Sequence, residues 1–356
     1  MKEVTGGFYI PSLDGMRAVA AMLVFVAHAG WSHIIPGGFG VTIFFFLSGY
    51  LITTLLRREY ENTGSINFKN FYLRRAYRIF PPLYIVLFLI ALFALAGLIE
   101  HQMHLWGVVS QIFYWTNYYI IFYGKEYLVP STSVYWSLAI EEHFYFIFPV
   151  VFLLAVRRLS YVNTALFFFV LCLLVLSWRY WLILEAGMSH EYTYYATDTR
   201  FDSLLFGCIM GVWRNPVADE AWELLDQRSG YIVLSIALLM LLFCLIWRDD
   251  TFRETLRYTL QGMALFPVFW LAIRHPDWLV FRWLNWRPVR FLGVISYTFY
   301  LSHLFSIFMV DRLIDASNPI RALVAFILTF TFSALMFYAI ERPIAGLRRR
   351  LHTDAG

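Results

Sequence analysis

No stretch of this sequence is both long and hydrophilic. The longest, residues 214–229, is too short to fold alone, so the sequence is expected to hold no soluble domain. Charge is scarce too: Asp, Glu, Lys and Arg make up 15% of the 356 residues, against 60% hydrophobic. With a mean hydropathy of +0.62, that balance excludes a water-soluble protein and describes a polytopic membrane protein. The formal net charge of +4 is thinly spread, and no nucleic-acid partner is expected. Cysteine is limited to Cys172, Cys208 and Cys244, all in apolar segments. An odd number without metal-ligand spacing argues against a disulfide framework or a metal site and reads as packing. There is no Gly/Ser linker, low-complexity tract or internal repeat, and many transporters are built from such repeats. Residues Met1–Gly7 lack a basic region and a cleavage site, so the first helix is expected to be retained.

What is present is a series of apolar runs. Candidate spans are 13–33, 38–56, 79–99, 134–156, 162–184, 196–213, 230–247, 255–273, 289–311 and 320–340. Basic residues cluster in 57–78, at Arg157 and Arg158, in 274–290 and at Arg348, Arg349 and Arg350. Cytoplasmic loops collect such residues. Placing 57–78 and Arg157–Arg158 on one side leaves no room for the aromatic run 105–123 to cross. It is expected to be re-entrant or interfacial. The fold class is therefore all-α and polytopic, with about ten transmembrane helices, both termini cytoplasmic, and residues 1–356 as one membrane domain.

Five constellations carry chemistry. In the first span, Arg17 and His28 are eleven residues apart, almost three helical turns. They share a face with Asp14 and lie about 16 Å apart along the axis. An ionisable stripe in a membrane helix points to function, with Arg17 at the cytoplasmic edge and His28 deep enough to serve as a general base. Arg75 and Arg78, at i,i+3, form either a phosphate site or an ordinary topology signal. Ser137, Glu141 and Tyr145 make a polar stripe at i,i+4,i+8 after Trp136, and Glu141 is expected at the depth of His28, orienting it. Whether Glu141 or Glu142 faces the pocket is open. Asp198, Arg200 and Asp202 form either a local salt-bridge network or a pocket wall for a polar acceptor. Ser296, Tyr297, Tyr300, Ser302 and His303 give a hydroxyl-rich face with a second intramembrane histidine. The histidines at 33, 101, 104, 190, 275 and 352 lie at ends or in loops and carry no expectation.

In order along the chain, Leu13–Arg17 with the R-x10-H spacing to His28, Gly40–Gly49, the R-x-x-R pair Arg75 and Arg78, Trp136–Leu138 with Glu141–Glu142, and Ile295–His303 resemble the acyltransferase-3 family of bacterial membrane acyltransferases. The resemblance runs along nearly the whole chain. It implies transfer of an acyl group, usually acetyl from acetyl-CoA, to a hydroxyl of a carbohydrate or natural product. Expected acceptors are lipopolysaccharide O-antigen, exopolysaccharide, peptidoglycan, Nod factors or macrolides. It implies functional roles for Arg17, His28, Arg75 and Arg78. Some members add a periplasmic SGNH esterase-like domain after an extra span, and this chain resembles the stand-alone form. The combined expectation is catalysis by His28, Glu141 and Arg17, and CoA binding by Arg17, Arg75 and Arg78. Acceptor contacts are expected from Asp14, Trp136, Ser137, Glu142, Arg200, Tyr297 and His303. No metal is expected. The expected partners are a carbohydrate or lipid-linked glycan and membrane lipid, in the bacterial inner membrane. A covalent acyl-His28 intermediate stays open, as does the oligomeric state. The competing classes are a proton-coupled transporter of a lipid-linked sugar and a scaffold in a polysaccharide synthase. Loss of acetyl-CoA in the presence of acceptor separates an acyltransferase from both.

Overall fold

The computed structural model describes residues 10–219 and 226–346. Met1–Gly7, the Arg348–Arg350 cluster, His352 and part of the 214–229 loop lie outside the described residues. Among the described residues all regular structure is helical. The helices are α1 (Pro11–Val26), α2 (Gly37–Thr63), α3 (Phe68–Leu95), α4 (Leu105–Ile112), α5 (Thr116–Tyr123), α6 (Trp136–Arg158), α7 (Tyr161–Leu184) and α8 (His190–Tyr195). They continue with α9 (Phe201–Val212), α10 (Gln227–Ile246), α11 (Asp250–Glu254), α12 (Leu256–Arg274), α13 (Arg287–Val294), α14 (Ser296–Leu313) and α15 (Asn318–Met336). The protein is an all-α, multi-pass membrane protein: eight helices are long and apolar enough to cross a membrane, or nine if a bent pair counts as one span.

Two expected spans change character. Only Phe201–Val212 of the 196–213 run is a long helix. Twelve residues rise about 18 Å, short of the roughly 30 Å hydrocarbon core. Every residue from Asp202 to Val212 is buried, so α9 is an internal helix whose apolar character serves packing. It presses on α2 with backbone nearly touching backbone. A Cβ on Gly49 would collide with the carbonyl of Leu204, and one on Gly207 with that of Phe46. Small residues allow this approach where apolar solvent supplies no other drive for association. The expected span 289–311 is bent by 77° between α13 and α14.

The aromatic run 105–123 is two eight-residue helices, each about 12 Å long, broken where Tyr114 takes φ 59°. Neither crosses a bilayer alone, in keeping with a segment that enters and returns. The first span also ends irregularly. After Val26 the chain widens into a π-helical turn, Ala27–Trp31, closed by Gly30 at φ 110°. That left-handed geometry suits glycine, and π turns recur at functional sites. Here the turn carries His28.

Candidate active site

His28 sits at one end of the bundle and is exposed. Its Nδ1 lies 2.9 Å from Nε2 of His303 on α14. His303 is 1% exposed, and its Nδ1 lies 2.7 Å from the backbone carbonyl of Tyr300. A carbonyl only accepts, so Nδ1 of His303 carries the hydrogen and its Nε2 holds a lone pair. His28 must then donate from Nδ1, which leaves His28 Nε2 as the basic nitrogen. The tautomer of each ring follows from the hydrogen-bond network. The arrangement anchors one imidazole through another, with a backbone carbonyl as the final acceptor.

The same turn of α14 reaches α6. The Tyr300 hydroxyl is 2.7 Å from Ser137 Oγ and donates to the carbonyl of Val134 at 3.0 Å. Tyr135 donates to the carbonyl of Leu301 at 3.3 Å. Phe305 packs on Phe93 near the end of α3, with ring centroids 5.7 Å apart. The late end of α3, the early end of α6 and the His28–His303 pair therefore share one end of the bundle.

The arginines lie toward the other end. Arg75 and Arg78 fall within the first eleven residues of α3, where Tyr72 donates to the carbonyl of Phe146, midway along α6. The Arg75 guanidinium stacks 3.2 Å from the centre of the Tyr145 ring. Among the described residues neither Arg75 nor Arg78 has an ion-pair partner. Arg17 pairs with Asp14 at 3.3 Å, and one oxygen of the buried Asp14 carboxylate has no hydrogen-bond partner among the described residues. Arg78, Tyr145 and Glu141 are close enough to act on Arg17 electrostatically.

Glu141 belongs to this arginine end, which corrects its expected place beside His28. Its carboxylate accepts from Ser48 at 3.0 Å and from Tyr145 at 3.2 Å, and it feels the charges of Arg75 and Arg78. The polar stripe of α6 is real but straddles two environments: Ser137 meets the histidine end, and Glu141 and Tyr145 meet the arginine end. The two adjacent carboxylates also part company. Glu142 lines a groove of about 850 Å³ bordered by Lys69, Arg75, His143 and Asp198, whereas Glu141 turns inward.

The Asp198–Arg200–Asp202 group forms no mutual salt-bridge network, and of the three only Asp198 borders the groove. Asp202 pairs with Arg179 at 2.7 Å in a fully buried contact. Asp198 accepts from Trp178 at 2.6 Å and Tyr118 at 3.3 Å. Arg200 is fully buried and donates to the carbonyl of Tyr194 at 3.2 Å and to Thr42 at 3.4 Å. Its guanidinium lies 4.0 Å from the Tyr258 ring centre. Trp136 packs nearby against Tyr194, with ring centroids 4.9 Å apart. Tyr297 donates to the carbonyl of Ile79, next to Arg78, at 3.0 Å. Ser48, Tyr145 and Tyr300 are site contacts that no expected role included. Tyr145 was visible in the α6 stripe and Tyr300 in the hydroxyl-rich face, whereas Ser48 lay inside the Gly40–Gly49 segment with no role of its own.

Residues 10–338 match a family model described as an acyltransferase domain. The chain is 31% identical to the peptidoglycan O-acetyltransferase OatA of Listeria monocytogenes over 352 residues, covering 94% of this chain and 56% of that protein. It is 29% identical over 346 residues to the O-acetyltransferase OatA of Staphylococcus aureus, covering 94% of this chain and 57% of that protein. The chain thus spans little more than half the length of these relatives. No solved structure matches it.

Proposed function

Since the chain belongs to the acyltransferase family whose model spans residues 10–338, we propose that it moves an acetyl or short acyl group from cytoplasmic acyl-CoA to a hydroxyl of a cell-wall glycan beyond the membrane. The observation that carries this reading is the division of the bundle. Two arginines without ion-pair partners among the described residues, Arg75 and Arg78, stand with Arg17 at one end, and His28, with its Nε2 directed to be basic, stands at the other. Guanidinium groups bind phosphates through charge-assisted, bidentate hydrogen bonds. The rise from Arg17 to His28, about 16 Å, suits the extended arm that joins the phosphates of CoA to its thioester.

In this reading Arg75, Arg78 and Arg17 hold the CoA phosphates, and Asp14 fixes Arg17. Glu141, tied to Ser48 and Tyr145, sets the geometry of the arginine end instead of orienting the base. His28 Nε2 takes the proton of the acceptor hydroxyl as its oxygen attacks the thioester carbonyl. The new C–O bond forms, the C–S bond breaks, and the thiolate leaves with the proton returned from His28. The imidazolium keeps its Nδ1–H bonded to His303 throughout, which favours the charged form in the transition state. Ser137 and Tyr300 brace the helix turn that carries His303. The likeness to the Listeria monocytogenes peptidoglycan O-acetyltransferase favours a peptidoglycan-type acceptor over lipopolysaccharide or exopolysaccharide, and the enzyme would work in the bacterial cytoplasmic membrane. The test is purified protein with labelled acetyl-CoA and a soluble glycan. Free CoA should appear in step with glycan ester, and both should fall about 10²-fold or more with His28→Ala. Near wild-type ester formation in folded His28→Ala protein rejects the base assignment.

A further inference from the structure

A second cavity, of about 810 Å³, opens where the late end of α3 meets the segment joining α5 to α6. Its polar lining includes Glu100, His101, Lys125, Glu126, Ser131 and Ser133. Among the described residues none of these six side chains makes a hydrogen bond or ion pair within the protein. Glu100, His101, Lys125 and Glu126 are exposed, and Ser131 and Ser133 are half-buried, so their polar groups are open to a ligand.

The wall is built to hold its shape. Gln111, 1% exposed, accepts from the Val129 backbone at 3.2 Å and donates to Thr132 Oγ1. That clamps residues 129–132 from behind. Ser131 lies at φ 58°, a left-handed geometry that a non-glycine residue adopts only when its surroundings impose it, and such strain gathers at functional sites. The cavity also adjoins the histidine end. Ala94, beside Phe93, lines it, and Phe93 packs on Phe305, two residues from His303. The residue after Ser133 supplies the carbonyl that accepts from Tyr300.

We propose that this cavity is the acceptor subsite, and that it holds a neutral or singly acidic saccharide whose hydroxyl is presented to His28. Three observations select the occupant. Two carboxylates against one lysine repel a polyanion such as a nucleotide. The density of unpaired polar groups does not suit a lipid tail. Carboxylates and serine hydroxyls match sugar hydroxyls, and Lys125 matches one acidic substituent. The inference rests on the proposed transfer reaction, but binding can be measured apart from it.

The probe is N-acetylglucosaminyl-N-acetylmuramic acid, titrated without acyl donor onto the full chain in lipid nanodiscs. Wild type should bind it. Lys125→Ala and the double variant Glu100→Gln/Glu126→Gln should each weaken binding at least tenfold with an unchanged unfolding temperature, since all three side chains are exposed. In turnover, both variants should raise KM for the disaccharide by a similar factor and leave KM for acetyl-CoA alone. No binding by wild type, or equal binding by the variants, overturns the subsite. If the wild-type protein binds the disaccharide, the variants lose it and no acetyl group is transferred, the subsite stands and the reaction falls. If transfer proceeds with unchanged KM in the variants, the subsite alone falls.

Discussion

Replacing His303 with Phe keeps a ring in a site that is 1% exposed but removes the acceptor for the Nδ1–H of His28, 2.9 Å away. The consequence falls on the transition state. As His28 takes up the hydroxyl proton it becomes cationic, and the lost contact is then a hydrogen bond from a charged donor. Such a bond contributes about 1.5–3 kcal/mol, which at about 1.4 kcal/mol per decade is a fall of about 10- to 150-fold in kcat. Complete loss of the base in His28→Ala should cost more, about 10²- to 10⁴-fold. His303→Gln should recover part of the loss, because its carboxamide oxygen reaches close to the former Nε2. Initial rates of CoA release with saturating acetyl-CoA and glycan measure all three. Wild-type kcat in His303→Phe refutes the positioning role. A His303→Phe loss as deep as that of His28→Ala, with no recovery by Gln, makes His303 the base and overturns the tautomer assignment.

Arg75→Ala and Arg78→Ala should each weaken binding of a CoA analogue about 10- to 150-fold, the cost of one charge-assisted hydrogen bond. Lys at either position should restore only part, and full rescue by Lys reduces these arginines to topology signals. Gly49→Ala should destabilise the protein by about 1–3 kcal/mol through overpacking, because the new Cβ meets the Leu204 carbonyl. Thermal unfolding in detergent reads this, and an unchanged midpoint would mean that α2 and α9 are less close than described. Single cysteines at Glu100 and Lys125 flank the two short helices of 105–123 and should label from the same side of the membrane. Labelling from opposite sides makes that segment a crossing.

The long spans were legible because a helix facing lipid must be apolar for about 20 residues. The same signal misreads α9. Hydropathy reports an apolar environment without saying whether lipid or protein supplies it, and Asp202–Val212 is buried entirely in protein. Periodicity placed Ser137, Glu141 and Tyr145 on one face correctly, since i,i+4 spacing defines a face. It could not tell that one turn of rise separates the histidine environment from the arginine environment. The His28–His303 contact joins residues 275 positions apart, and no local pattern encodes a pairing of that range. Arg17 and His28 drew attention as charges costly in lipid, whereas Ser48 and Gln111 did not, because a neutral polar residue beside glycines or aromatics looks like packing.

The central claim is that acyl donor and acceptor meet from opposite ends of one bundle. The direct measurement is a sided assay in proteoliposomes of uniform orientation. Labelled acetyl-CoA is supplied only on the Arg75–Arg78 face and the disaccharide only on the face of Glu100 and Lys125. The account predicts acetylated disaccharide on the glycan side and free CoA on the donor side, in equal amounts. Ester that forms only when donor and acceptor share one side would contradict it.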